Sequence, residues 1–210
     1  MRFILKQERQ REEIMSYSKS FNTRKLVLLA LLTAIVVVLQ FVGAFVRFGP
    51  FSISLVLLPI VVGAALVGVV SGGWLGLAFG FVVLLSGDAA PFMAISPLGT
   101  VVVVLLKGAL AGLAAGAVYR AFAKKSKTVA AVLAAAICPI VNTGIFIAGT
   151  YVFFLPTITE WGEAAGFANA TAYIFLGMIG INFLVELGIN IVLSPVIIRL
   201  IQYGQDRRTR

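Results

Sequence analysis

Polar side chains recur at a spacing of four inside one of the most apolar stretches of the chain. Asn182, Glu186 and Asn190 fall in the run GINFLVELGIN, and on an α-helix this spacing places all three on one face. An ionisable side chain at the centre of a bilayer costs on the order of 2.5–3.5 kcal/mol, so it is usually paired or functional. The run therefore predicts either a polar contact between helices or the wall of a polar cavity.

Lys107 is a second ionisable residue inside an apolar segment. It lies ten residues after Pro97, which is about 15 Å along a helix at 1.5 Å per residue. Two interpretations are open: Lys107 and Glu186 form an ion pair that ties two helices together, or both line a cavity that opens to the outside. We favour the cavity, with Asn142, Asn182 and Asn190 as amide partners, because an ion pair alone would not require three amides nearby.

The composition places these residues in a membrane. The chain is 60% hydrophobic and 12% charged, whereas soluble domains are nearer half apolar and a quarter charged. Apolar runs of about 20 residues can span a bilayer as helices. They predict an all-α membrane protein with six transmembrane helices, at about 26–46, 51–70, 74–87, 97–122, 129–155 and 170–201. The break between the second and third helices is expected at 71–73, in the residues SGG.

The basic residues predict the orientation. All but two of the 17 Lys and Arg residues precede the first helix, separate the fourth from the fifth, or lie from Arg199 onward. By the positive-inside bias, both termini are expected to be cytoplasmic, in a multi-pass protein of the plasma membrane. The net charge of +9 then reflects topology and attraction to the lipid bilayer, and no nucleic-acid partner is expected. The predicted domains are an amphipathic or disordered arm at 1–22, a membrane domain at 23–203 and a basic tail at 204–210.

Three loops are predicted on the outer side, at 44–50, 87–97 and 156–169. The first carries Arg47 and the second carries Asp88. The candidate ligand-binding residues are therefore Arg47, Asp88, Lys107, Asn142, Asn182 and Glu186. Asn190 lies deeper, and we expect it to form hydrogen bonds between helices.

Several kinds of chemistry are excluded by residues that the chain lacks. Histidine is absent and Cys138 is the single cysteine, which rules out a cysteine cluster for metal. The GxxxxGK[ST] phosphate loop is also missing, so the chain cannot hydrolyse ATP by that route. The Ser–His, paired-Asp and zinc arrangements of intramembrane proteases cannot be built. We therefore expect neither an enzyme nor a bound metal or cofactor.

Small residues recur at helical spacing on three of the predicted helices. Glycines at 72, 76 and 80 and at 108, 112 and 116 line the third and fourth helices, where they predict close internal packing. Ala30 and Ala34 form a similar row on the first helix. From the residues alone, this row could either pack internally or receive a helix of another protein.

The order of the motifs resembles a known family. RKLVLLALLTAIVVVLQ is followed by FGPFSISLVLLPIVVGAALVG, GFVVLLSGDAAPF, LKGALAGLAAGAVYR, CPIVNTGIF and GINFLVELGINIVLSPVI. Over about residues 22–203 the chain resembles the substrate-binding S component of an energy-coupling factor (ECF) transporter, the vitamin-uptake branch of ABC importers. The resemblance implies a subunit that has no ATPase of its own and captures a water-soluble nutrient at the outer face. It also implies docking on a transmembrane T component with two ATPases, and toppling in the membrane to release the nutrient inward.

The resemblance also implies roles for residues. The AxxxA surface of the first helix docks on the T component in this family, and Ala30 and Ala34 match it. The pocket would lie at the outer ends of the fourth to sixth helices, among the candidate residues named above. Metal substrates are disfavoured because histidine is absent, and flavin or thiamine because few aromatic side chains are expected at depth. Pantothenate is the preferred substrate, with Arg47 or Lys107 binding its carboxylate and Asn142 or Asn182 binding its amide and hydroxyls.

Two other functions are compatible with the residues. A stand-alone secondary carrier could couple uptake to a proton through Glu186. A structural membrane protein could use Lys107 and Glu186 only as a tie between helices.

Overall fold

The computed structural model describes the backbone of residues 2–43, 47–48, 51–52 and 55–206, and the side chains of residues 23–43, 55–180 and 182–203. The chain is almost entirely helical in this part. The helices are α1 (Arg2–Gly43), α2 (Leu57–Leu66), α3 (Val69–Leu85), α4 (Ala90–Ile95), α5 (Pro97–Phe122), α6 (Lys127–Phe153), α7 (Leu155–Ala164), α8 (Ala170–Ala172), a π-helical segment (Tyr173–Ile179), α9 (Gly180–Val192) and α10 (Ser194–Asp206). A short antiparallel hairpin follows α1, in which β1 (Arg47–Phe48) pairs with β2 (Phe51–Ser52).

Three described segments are long and apolar enough to cross a membrane: Thr23–Gly43, Pro97–Phe122 and Lys127–Phe153. A fourth is reached if Ala170–Ile179 and Asn182–Val192, which meet at a bend of 42°, count as one span. Helices α2 and α3 are apolar but shorter. The prediction of a helical protein with several spans is thus confirmed, whereas six full-length spans are not found in the described part of the chain.

The break between α2 and α3 lies at Gly68 and not at 71–73, so that prediction is wrong. Gly68 has a φ of +140°, a backbone conformation that residues other than glycine rarely adopt. Ser71, Gly72 and Gly73 lie within α3 instead. Their small size serves helix packing, since a Cβ atom added to Gly72 would lie 2.5 Å from the Gly112 carbonyl oxygen on α5.

Helices α3 and α5 meet along a glycine seam, which consists of Gly72, Gly76, Gly108 and Gly112. Added Cβ atoms on Gly76 and Gly108 would each overlap the backbone carbonyl of the other. Gly80 continues the contact toward Val104. The seam shows why the glycines recur at a spacing of four: each removes the side chain that would hold the two backbones apart.

Two segments that were predicted as loops contain helices. Residues 87–97 include α4, and most of 156–169 belongs to α7, whose Ile158 is buried. The arm predicted at 1–22 has a helical backbone that continues into the first span, because α1 begins at Arg2. The predicted tail overlaps the end of α10, which runs to Asp206.

The buried apolar side chains that the structure describes form two clusters. The larger cluster joins α1, α2, α3, α5, α6 and α10, and contains the free thiol of Cys138. The smaller cluster joins α4, α7 and the π-helical segment, with Phe92, Ile158 and Ile174 at its centre. The polar cavity described below is bordered by members of both clusters.

The glycine seam gives a first prediction. Gly76→Ala should lower the free energy of unfolding by about 1–3 kcal/mol, because the added methyl group overpacks a contact between two backbones. Thermal unfolding of the purified protein in detergent measures the change. Gly144→Ala is the matched control, since a Cβ atom there meets nothing within 4 Å and alanine favours a helix by up to about 1 kcal/mol. Equal melting temperatures for the two variants would contradict the packing role of Gly76.

Candidate ligand-binding cavity

A cavity of about 80 Å³ opens between α1, α3, α5, α6 and α9. Since a single buried water requires about 10–15 Å³ of such volume, the cavity can hold several waters or part of a small molecule. Five of the six residues predicted from the sequence border it together: Asp88, Lys107, Asn142, Asn182 and Glu186. The side chain of Arg47 lies outside the described residues, so its place in the site stays a prediction.

The five residues come from three helices and one turn. Lys107 lies in α5, Asn142 in α6, and Asn182 and Glu186 lie one turn apart in α9. Asp88 follows Gly87, whose φ of +81 forms the turn between α3 and α4. No short sequence window contains the site, which exists only because the helices converge.

An irregular stretch of helix forms one wall of the cavity. The π-helical segment Tyr173–Ile179 ends three residues before Asn182, and its Met178 and Ile179 line the cavity. π-Helical segments are rare in proteins, and those that occur are often found at functional sites. Here the π-helical segment also coincides with the 42° bend in front of α9.

The ammonium group of Lys107 is held by rings and carboxylates. Its Nζ atom lies 5.7 Å from the centroid of the Phe79 ring and 5.4 Å from that of Phe146. Both distances fall within the range of a cation–π interaction. Glu186 and Asp88 attract the same ammonium group through space. Its stabilisation is therefore shared among four groups and is not confined to one ion pair with Glu186.

Asn142 presents an unsatisfied acceptor. The residue is 5% exposed, and its Oδ1 atom accepts no hydrogen bond from any residue that the structure describes. Leaving such a group unsatisfied costs about 1–3 kcal/mol. An N–H or O–H group of a ligand, or a water, would satisfy it.

Asn190 does not border the cavity. Its side chain is fully buried, and its Nδ2 group donates to the backbone carbonyl of Glu186, one turn earlier, at 2.8 Å. The expected hydrogen bond between helices is therefore replaced by a bond within α9. A backbone carbonyl of the same helix was the nearer acceptor, which a spacing argument between helices overlooks.

Sequence reasoning missed the aromatic part of the wall. Among the described residues, four phenylalanines line the cavity: Phe79, Phe92, Phe146 and Phe183. The expectation of few aromatic side chains at depth is thus wrong. A signal was available in the helical spacing for one of them, because Phe146 lies one turn after Asn142.

Gln40 was missed as well. It borders the cavity from α1, and its Nε2 group donates to Asp88 Oδ2 at 2.6 Å. A single amide in the run VVVLQFVG is the sequence signal that could have identified it.

Ala30 and Ala34 lie away from the cavity. Both are exposed on α1, and the side chains of Leu31 and Ile35 beside them are 58% and 45% exposed. This part of α1 is an apolar surface with a shallow groove, because the two small alanine side chains lie between larger ones.

A known family covers most of this structure. The family model described as "ECF transporter, substrate-specific component" matches residues 24–198, which include every described residue that borders the cavity. No curated protein and no solved structure is significantly similar to the chain. Proteins of this family are transport subunits and not enzymes, and the family implies a small-molecule substrate and association with a T component and ATPases. The chain belongs to the substrate-specific components of ECF transporters, and it is a multi-pass membrane protein that captures the transported substrate.

Proposed function

We propose that this chain is the high-affinity capture subunit for a small water-soluble vitamin that carries a carboxylate. The observation that carries the proposal is the Lys107 ammonium group, which faces a cavity whose other polar groups are carboxylates, amides and the Thr143 hydroxyl. Lys107 is the one cation among the described residues that line the cavity. A ligand carboxylate would form a charge-assisted hydrogen bond with it.

The remaining polar groups call for hydrogen-bond donors on the ligand. Asp88 and Glu186 accept when ionised, and the Asn142 Oδ1 atom is an acceptor without a partner among the described residues. Hydroxyl and amide N–H groups would meet this need. Pantothenate combines a carboxylate, an amide and hydroxyls, and we propose it as the substrate.

The aromatic wall supports a second candidate within the same class. Four phenylalanine rings line the cavity, and a planar ring would pack against their faces or edges. A vitamin that combines a carboxylate with an aromatic ring, such as nicotinate, is therefore the alternative to pantothenate.

Uptake would be energised by partners. We propose that Ala30 and Ala34 form the surface that docks on the T component, and that two partner ATPases drive release of the substrate. The exposure of both alanines on an apolar face of α1 supports this assignment. The protein would lie in the plasma membrane with both termini in the cytoplasm and the cavity open to the outside. Arg47 would be a further ligand for the substrate carboxylate.

Lys107 gives the test of the binding site. Lys107→Met should weaken carboxylate binding at least tenfold, because it removes the charged partner and keeps an apolar side chain of similar length. Equilibrium binding to the purified protein with pantothenate, nicotinate, pyridoxine and thiamine measures the change, and mass spectrometry identifies any small molecule released on denaturation. Leu106→Met is the control, since Leu106 is 47% exposed on the same helix. Failure of the wild-type protein to bind either carboxylate would refute the substrate class.

The docking surface gives a separate test. Ala30→Leu and Ala34→Leu should abolish ATP-driven uptake in cells while vitamin binding by the purified protein is unchanged, because the added side chains fill the shallow surface and leave the cavity intact. Ala148→Leu introduces the same bulk at an exposed position of α6, and we expect normal uptake. Equal uptake by all three variants would argue against docking at this row.

A further inference from the structure

Gln40 is the one polar side chain that α1 contributes to the described wall of the cavity. It is 2% exposed and lies in the apolar segment Thr23–Gly43. Burial of an amide in such surroundings is unfavourable unless the amide is hydrogen-bonded. The bond to Asp88 fulfils this condition with a donor–acceptor distance of 2.6 Å.

The bond connects two distant parts of the chain. Gln40 and Asp88 are 48 residues apart. One lies on α1, and the other lies in the turn that joins α3 to α4. A hydrogen bond to an ionised carboxylate is roughly twice as strong as one between neutral groups. The bond therefore fixes the outer half of α1 to this turn and restricts the orientation of the Asp88 carboxylate.

Both partners of the bond border the cavity. A hydrogen bond that served only to join helices could lie anywhere along their contact, whereas this one is placed where a ligand would touch it. On α1, Gln40 lies six residues beyond Ala34, which corresponds to about 9 Å along the axis and about 240° around it. The buried amide and the exposed alanine row thus occupy different faces of one helix.

We propose that Gln40 is a positioning residue of the ligand site. Its amide holds the Asp88 carboxylate in the cavity wall, and α1 thereby belongs to the ligand site as well as to the apolar surface of Ala30 and Ala34. The identity of the ligand in this proposal rests on the proposed function. The positioning of Asp88 by Gln40 rests only on the hydrogen bond between them.

The test is a double-mutant cycle with Gln40→Met and Asp88→Asn. Methionine keeps the length and most of the volume of glutamine and removes the donor. With the vitamin that the wild-type protein binds best, Q40M should raise the Kd about tenfold, and D88N should raise it at least as much. The double variant should bind no more weakly than D88N, because Gln40 then has no carboxylate to orient. If the rise in Kd of the double variant equalled the product of the rises for Q40M and D88N alone, the two residues would act independently and the proposal would be overturned.

Two further variants control the cycle. Gln40→Glu should weaken binding more than Q40M, since it places a second carboxylate against Asp88, and binding equal to that of the wild type would count against the proposal. Thr33→Val lies on the same helix and removes two hydrogen bonds outside the cavity: the one that Thr33 Oγ1 donates to the Leu29 carbonyl at 2.8 Å and the one that it accepts from Trp74 Nε1 at 3.3 Å. Its Kd should match that of the wild type, and a tenfold rise would show that any polar deletion on α1 has the same effect.

The same double-mutant cycle, measured on stability in the absence of ligand, tests this proposal independently of the proposed function. Thermal unfolding of the same four proteins in detergent should give shifts in Tm for Q40M and D88N that are not additive. If the wild-type protein binds none of the vitamins, the proposed function fails, and non-additive shifts still support the positioning of Asp88 by Gln40. Additive shifts would overturn the positioning itself.

Discussion

The approach of the α3 and α5 backbones along the glycine seam is the contact on which the rest of the structure depends. Where both helices present glycine, the backbones touch and no space is left between them. Beyond Gly108 the facing side chains become large, and Phe79, Val104 and Lys107 border open volume. The seam therefore determines where the cavity begins. A helix pair held apart along its whole length would leave a diffuse gap in place of a bounded pocket.

The polar side chains of the cavity are tolerated in an apolar protein interior because they all border the same small cavity and interact with one another. Lys107 lies over two rings and is attracted through space by two carboxylates, and Asp88 accepts a hydrogen bond from Gln40. Each of these groups would be costly alone in an apolar surround. Together they form a mixed wall of charge, amide and ring, which can contact several parts of a small molecule at once. Members of both apolar clusters complete the wall.

The convergence of five predicted residues could be anticipated from the sequence because membrane burial makes polar side chains informative. Lys107 and Glu186 were conspicuous for their charge, and Asn182 for its helical spacing from Glu186. The break at Gly68 could not be anticipated, because a glycine that forms a turn and a glycine that forms a packing contact cannot be told apart from the residue type alone. The helices within 87–97 and 156–169 could not be anticipated, because proline occurs in loops and is also favoured in the first turn of a helix, as in α4 and α7. Gln40 and Phe146 have local signals, a lone amide in an apolar run and a helical spacing from Asn142, whereas Phe79 and Phe92 are recognised as part of the wall only from tertiary contacts.

The π-helical segment has a consequence for how the α9 face is aimed. A π-helical turn accommodates one more residue than an α-helical turn, so the chain that follows is rotated by about 100° relative to an uninterrupted α-helix. Asn182 and Glu186 therefore owe their direction to Tyr173–Ile179 and not only to their own spacing. Loss of a single residue from that segment would turn both side chains away from the cavity, although every residue from Gly180 onward would be unchanged. An insertion or a deletion in this one segment would therefore redirect the cavity-lining face of α9 as effectively as substitutions within that face.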